Sequence, residues 1–244
     1  LKEIERRHTK KQQSKWNCRK CQKEQPPPPS EYLFCPECVD IGVEQAKEVR
    51  LQRVEHWMRQ FGVPKGLMKY PEPLPGMEWV ETYAKPMSRG LCLMGQSGVG
   101  KSVGAVLVIR RWLTDWADTD AIKVTPPDGE WQFVGCAGLV MRLQDSFRGE
   151  GDESAYKILK KLVNVPRLLI DDLGTEKPTE FVRQSIYYLI NEREQHERQT
   201  IITTNFGFEE INAQYDTRIG SRIFGMCDVR EIKGRDRRVE RMEA

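Results

Sequence analysis

The stretch "GQSGVGKS", Gly95–Ser102, constrains this chain more than any other feature. It satisfies G-x-x-x-x-G-K-[ST] at every fixed position. Glycines let the backbone curl, so that the N–H groups along Gly95, Gln96, Ser97, Gly98, Val99 and Gly100 face a phosphate chain. Lys101 then reaches the β- and γ-phosphates, and the Ser102 hydroxyl ligates Mg²⁺. The chemistry also needs a strand before the loop and a helix after it, because the helix contributes its positive N-terminal end. "RGLCLM" (89–94) reads as a short buried strand and "SVGAVLVIRRWL" (102–113) as a helix. These flanks weigh against the bland alternative, a glycine-rich turn with an incidental lysine.

Beyond this loop the chain alternates strand and helix. "WQFVGCA", "PRLLIDDLG", "QTIITTN" and "DVREIKG" are strand candidates. "GLVMRLQDSF", "SAYKILKKLVN" and "TEFVRQSIYYLINEREQHER" carry helical spacing, the last with Phe181, Val182, Ile186, Leu189 and Ile190 on one face. Such alternation predicts an α/β fold with a parallel sheet. Upstream, "VEQAKEVRLQRVEHWMRQFG" (43–62) predicts a helix. The proline-rich "VPKGLMKYPEPLPG" (63–76) is read as a junction, dividing the chain into a module over 1–61 and a larger domain over 62–244.

The apolar strand "LLIDDLG" ends in two acids, which places them at the carboxyl edge of the sheet, where nucleotides bind. Asp171 is expected to hold the Mg²⁺ shell and Asp172 to orient or activate the attacking water. "IITTN" closes on Asn205, expected beside the γ-phosphate. "TRIGSR" spaces Arg218 and Arg222 four apart on a helix. An arginine can stabilise a phosphoryl-transfer transition state and can come from a neighbouring subunit. From the spacing alone, a solvated basic face is the preferred reading.

The loop, "LLIDDLG", "IITTN" and "TRIGSR", in this order, resemble an AAA+ ATPase of the DnaC/DnaI-type helicase-loader and IstB group. "GVP" at 62–64, "LINER" at 189–193 and the terminal "IKGRDRR" resemble further stretches of that group, so the likeness spans roughly 62–238. It implies an AAA+ P-loop NTPase core without a C-terminal helical lid, for which the chain leaves little room after its last strand. It implies ATP and Mg²⁺ as cofactors, Lys101, Ser102 and Asp171 as their contacts, and Asp172 and Asn205 as catalytic groups. Arg222 becomes the arginine finger, with Arg218 its companion. It also implies a replicative DNA helicase and single-stranded DNA as partners, and a homo-oligomer as the active form. The second acid is Asp where many AAA+ proteins have Glu, so hydrolysis is expected to be weak and switch-like. Between the second and third strands, residues 138–164 resemble an insertion that meets single-stranded DNA, and they offer Arg142, Arg148, Lys157, Lys160 and Lys161. An ordinary solvated helix pair is the alternative there.

Four of the seven cysteines fall in two C-x₂-C pairs, Cys18 with Cys21 and Cys35 with Cys38. Two such knuckles brought together match a four-thiolate structural zinc site. Disulfides, an iron–sulfur cluster and incidental placement are the alternatives. Modules of this kind bind either protein or nucleic acid.

The net charge of +3, from 39 basic and 36 acidic residues, neither demands nor excludes nucleic acid. No apolar run approaches the ~18 residues of a membrane span, and no signal peptide is visible. With a phosphate loop and paired thiols, this points to the cytoplasm. The chain opens on Leu1, which leaves room for a native terminus upstream. The sequence thus favours a helicase loader. An IstB-type transposition helper, a small-molecule P-loop kinase and a non-catalytic zinc-containing adaptor remain as alternatives.

Overall fold

The computed structural model describes residues 16–17, 24–25, 48–49, 51–70, 72–83, 89–119, 131–149, 151, 153–174 and 179–239. Contacts divide the chain into two units, 1–53 and 54–244. In the first, strands β1 (Trp16–Asn17) and β2 (Glu24–Gln25) pair antiparallel, Trp16 opposite Gln25. Cys18, Cys21, Cys35 and Cys38, the expected zinc ligands, lie outside the described residues.

The second unit is built on five parallel strands: β3 (Gly90–Met94), β4 (Trp131–Gly135), β5 (Arg167–Leu173), β6 (Thr200–Thr204) and β7 (Cys227–Glu231). Their spatial order is β4-β5-β6-β3-β7. β6 therefore lies between β3, which feeds the phosphate loop, and β5, which carries the acids. Leu91 and Leu93 face one side of the sheet and Cys92 the other, as the two-residue period of a strand requires.

One face is covered by α1 (51–60), the short α2 (Lys65–Met68) and α3 (Val80–Tyr83), and α4 (Lys101–Thr119). Their core includes Trp57, Met58, Val106 and Ile109 against Leu91, Leu93, Leu169 and Ile201. The opposite face is covered by α5 (Cys136–Arg148), α6 (Ala155–Asn164), α7 (Glu180–Gln195), α8 (Phe208–Gln214) and α9 (Thr217–Met226). There Leu139, Leu159, Ile186, Leu189 and Ile223 pack on Cys92, Leu168, Ile170 and Ile202.

The boundary falls at 53/54 rather than at 61/62, because Val54, Trp57, Met58 and Phe61 are buried in the core of the larger unit. Nor does the proline-rich stretch act as a linker. Met68 and Met77 are buried. The buried Arg110 of α4 donates to the Met68 carbonyl at 2.5 Å, and the Phe133 N–H of β4 donates to Phe61 O at 2.7 Å. These bonds hold Met68 against α4 and Phe61 against β4, and Pro64, Leu67, Tyr70 and Leu74 between and beyond them form one wall of the site. Among the described residues, no helix is long and apolar enough to cross a membrane.

Candidate nucleotide site

A cavity of about 890 Å³ opens at the carboxyl edge of the sheet. Ser97, Gly98, Gly100, Lys101 and Ser102 line it from the loop, Asp171 and Asp172 from β5, and Asn205 from the end of β6. Pro64, Leu67, Tyr70 and Leu74 form a more apolar wall from the segment before the core, and Arg237 and Arg238 close it from the chain's far end. The size and the mixed lining suit a nucleotide, with phosphates at the loop and a base toward the apolar wall.

The loop has the backbone that its glycines permit. Gly98 and Gly100 have φ of 78° and 102°, where a side chain is strained. The Lys101 ammonium is buried and donates to Gly95 O at 2.9 Å, Gln96 O at 2.7 Å and Asn205 Oδ1 at 2.7 Å. Burial lowers its pKa, opposed by the Asp172 and Asp171 charges and assisted by Arg238. An anion replaces such carbonyl contacts readily, because a phosphate oxygen is the stronger acceptor.

The strand order explains the acid pair. Ile170 pairs with Ile202 and Leu173 with Thr204, and the register slips between them. Asp171 and Asp172 sit on that bulge. Asp172 adopts φ 56° and donates its N–H to Thr203 Oγ1 at 2.9 Å. The same Thr203 hydroxyl donates to Asp171 Oδ1 at 2.7 Å. Asp171 also accepts a hydrogen bond from the Ser102 side chain. Its pKa is raised first by burial and also by the Asp172 charge, while the Ser102 and Thr203 hydrogen bonds and Lys101 lower it. A buried carboxylate bonded to the Ser102 hydroxyl is a fitting Mg²⁺ corner, since a bound cation would relieve the desolvation of the charge.

The structure thus brings together Lys101, Ser102, Asp171, Asp172 and Asn205. It does not bring Arg218 and Arg222 to the same cavity. Both lie on α9, stacked over the Tyr187 ring with guanidinium carbons 4.7 and 5.6 Å from its centroid. Arg218 pairs with Asp216, its helix cap, at 2.6 Å, and Arg222 pairs with Glu194 of α7. Sequence reasoning missed Thr203, Arg237 and Arg238 as parts of the site. Thr203 gave no signal, because strands often end in threonine. The arginines stood in the quoted basic stretch, but nothing in their spacing tied them to the loop.

The helix pair α5 and α6 carries its cations on the surface. Lys161 pairs with Glu153 at 2.7 Å, and Lys160 lies 5.6 Å from the Tyr156 ring centroid. Met141 and the rings of Phe147 and Tyr156 are exposed on the same two helices, apolar surface that the sequence reading did not single out.

Fold and site together define an α/β domain with a five-stranded parallel sheet and a phosphate-loop motif at its carboxyl edge. No protein-family model matches the chain. Part of it is similar to the replicative helicase loader DnaC of Escherichia coli (strain K12): 28% identity over 91 residues, covering 37% of this chain and 37% of that protein. The alignment spans well under half the length of this relative. Among solved structures, the crystal structure of the DnaC helicase loader matches with a TM-score of 0.53 and 24% identity, over 68% of this chain and 96% of that one. Domain III of the Thermotoga maritima replication initiation protein DnaA matches with a TM-score of 0.52 and 18% identity, over 72% and 70%.

Proposed function

We propose that the chain is an ATPase that loads a replicative hexameric helicase onto single-stranded DNA in the cytoplasm. The observation that carries the ATPase half is the convergence of Lys101, Asn205 and the acid pair on one cavity. The loader half rests on the 91-residue similarity to DnaC.

The residues divide the chemistry as follows. The loop N–H groups and Lys101 hold the phosphate chain. Ser102 and Asp171 would hold Mg²⁺, which when bound neutralises charge on the β- and γ-phosphates. Asp172 accepts a proton from the attacking water as the water oxygen bonds the γ-phosphorus and the bond to the β-phosphate oxygen breaks. Asn205, already bonded to Lys101, helps place that water. Arg222 of a neighbouring copy, with Arg218 beside it, supplies the charge that stabilises the transition state. Asp172 reaches less far than a glutamate would, so turnover is slow and serves as a switch without a helical lid. Lys160 with Tyr156, and Arg142, Arg148, Lys157 and Lys161 of the same helix pair, present charge and stacking surface to a single strand. Cys18, Cys21, Cys35 and Cys38 bind zinc in an N-terminal module within 1–53 that grips the helicase. The β1–β2 pairing that brackets the first cysteine pair supports this.

Size-exclusion of the purified chain with a purified replicative helicase tests the reading. The two co-elute with ATP, separate after turnover, and the chain carries one zinc. Failure to co-elute, with a transposase binding in its place, would move the client to a transposition complex. Iron, or no metal, would remove the zinc module.

A further inference from the structure

Arg218 and Arg222 lie over the same Tyr187 ring, yet they are held in different ways. Arg218 is anchored to the start of its own helix. Its Nε and Nη2 both donate to Asp216 Oδ2, at 3.0 and 2.6 Å. The other oxygen of that carboxylate accepts from the Arg218 N–H at 2.6 Å and caps α9. Arg218 is thus committed to the cap.

Arg222 reaches across to α7 instead. Its Nη1 donates to Glu194 Oε2, and its Nη2 lies 3.5 Å from the Tyr187 hydroxyl, at the limit of a hydrogen bond. Its Nε is shielded from solvent and has no acceptor among the described residues. A shielded N–H without an acceptor is costly, so this guanidinium is only partly satisfied where it lies. The side chains of Arg222 and Glu194 are each 30% exposed, and an ion pair that water reaches is weak. The contact therefore retains Arg222 without committing it. A phosphate chain offers several charged oxygens to the planar fork, where Glu194 engages one nitrogen. The exchange also costs α9 little, because Arg218 stays on Tyr187 and Ile219 and Ile223 stay in the core.

We propose that Glu194 is a brake on phosphoryl transfer: it holds Arg222 in the lone chain and yields it to the terminal phosphate of ATP bound in a neighbouring copy. Glu194 and Tyr187 are positioning residues that act through Arg222. Arg222 reaches phosphate only by leaving an ion pair, so a passing encounter between copies does not fire the site and a sustained interface does. This rests on the reading of Arg222 as the arginine supplied to a neighbour.

The ATPase rate per chain, followed against protein concentration for the full chain, tests it. Glu194→Gln keeps the shape of the side chain and removes its charge. It should raise the rate about two- to fivefold wherever copies meet, which is what a partly exposed ion pair is worth, and leave ATP affinity by calorimetry unchanged. Tyr187→Phe keeps the ring, deletes the hydroxyl, and should give a smaller rise. Adding Arg222→Ala to Glu194→Gln should abolish the gain, which a contact that merely braces α9 against α7 would not do. Thermal melting confirms that each variant is folded. Should Glu194→Gln fail to fold, Glu194→Asp, which keeps the charge but draws it back from Arg222, carries the same expected rise. A folded variant at Glu194 that turns over ATP at the parent's rate or slower overturns the brake, provided Arg222→Ala has lost activity. Should Arg222→Ala hydrolyse ATP as the parent does, the reading of Arg222 itself falls, and the brake with it.

Discussion

At the residue scale, Asp172 explains its own identity. Its φ of 56° lies in the left-handed region, which Asp and Asn enter at little cost and longer side chains resist. A glutamate would reach farther but would strain the bulge that sets the acid pair against Thr203. Asp172→Asn should therefore keep the turn, the unfolding midpoint and ATP affinity, and abolish phosphate release. Asp172→Glu should cost about 1 kcal/mol of stability, read by urea unfolding. If Asp172→Asn lost ATP binding as completely as Lys101→Ala does, the division between phosphate cradle and water activation would be wrong. The acids themselves were legible, because an apolar run ending in two carboxylates has few other uses. Thr203 was not. Its role exists only because β6 enters between β3 and β5 and meets a bulge, and pairing across strands leaves no trace along the sequence.

At the scale of elements, Arg193 joins three of them. It is fully buried on α7 and donates to Leu162 O, Val163 O and Val165 O at 2.8, 3.2 and 2.8 Å, to Pro166 O and Gln199 O, and to Thr200 Oγ1 at 2.9 Å. Leu162 and Val163 are among the last carbonyls of α6, which have no partner within their own helix. The guanidinium fork thus caps α6 and ties it to the starts of β5 and β6. Burial and the Arg198 charge push its pKa down to about 9, which still leaves it charged at neutral pH. Arg193→Met should destabilise the unit by at least about 3 kcal/mol, since several buried carbonyls lose their donor together. Arg193→Lys should not restore this, because a point charge cannot span the acceptors. A urea midpoint within 1 kcal/mol of the parent would contradict it. The strands and the long helices were readable from their periods. The four-residue α2 and α3 and the seven-residue α8 were not, being too short for a 3.6-residue period to show. Proline marked the 63–76 stretch as irregular, but irregular backbone that lines a cavity reads the same as a linker.

At the scale of the whole molecule, the open matter is where Arg222 acts. In its own chain it is held by Glu194 and by Tyr187, whose hydroxyl lies 3.5 Å away. It does not line the cavity. On the proposed reading, Arg222 contributes to catalysis from a neighbouring copy, which leaves the site of a lone chain incomplete. ATPase activity per chain should rise with protein concentration or on adding single-stranded DNA. Arg222→Ala should remove that rise while a single chain still binds ATP. An arginine supplied in trans is worth roughly 10³–10⁵ in rate in the strongest cases, and a slow switch needs far less. Mixing variants separates the two geometries. In a mixed assembly, the Arg222→Ala chain keeps a sound phosphate loop and can borrow the arginine of a Lys101→Ala neighbour, so activity should partly return. If mixed assemblies form and stay as inactive as each variant alone, Arg222 does not act in trans, and the stack on Tyr187 with its Glu194 pair is its whole role: a solvated basic face that braces α9 against α7.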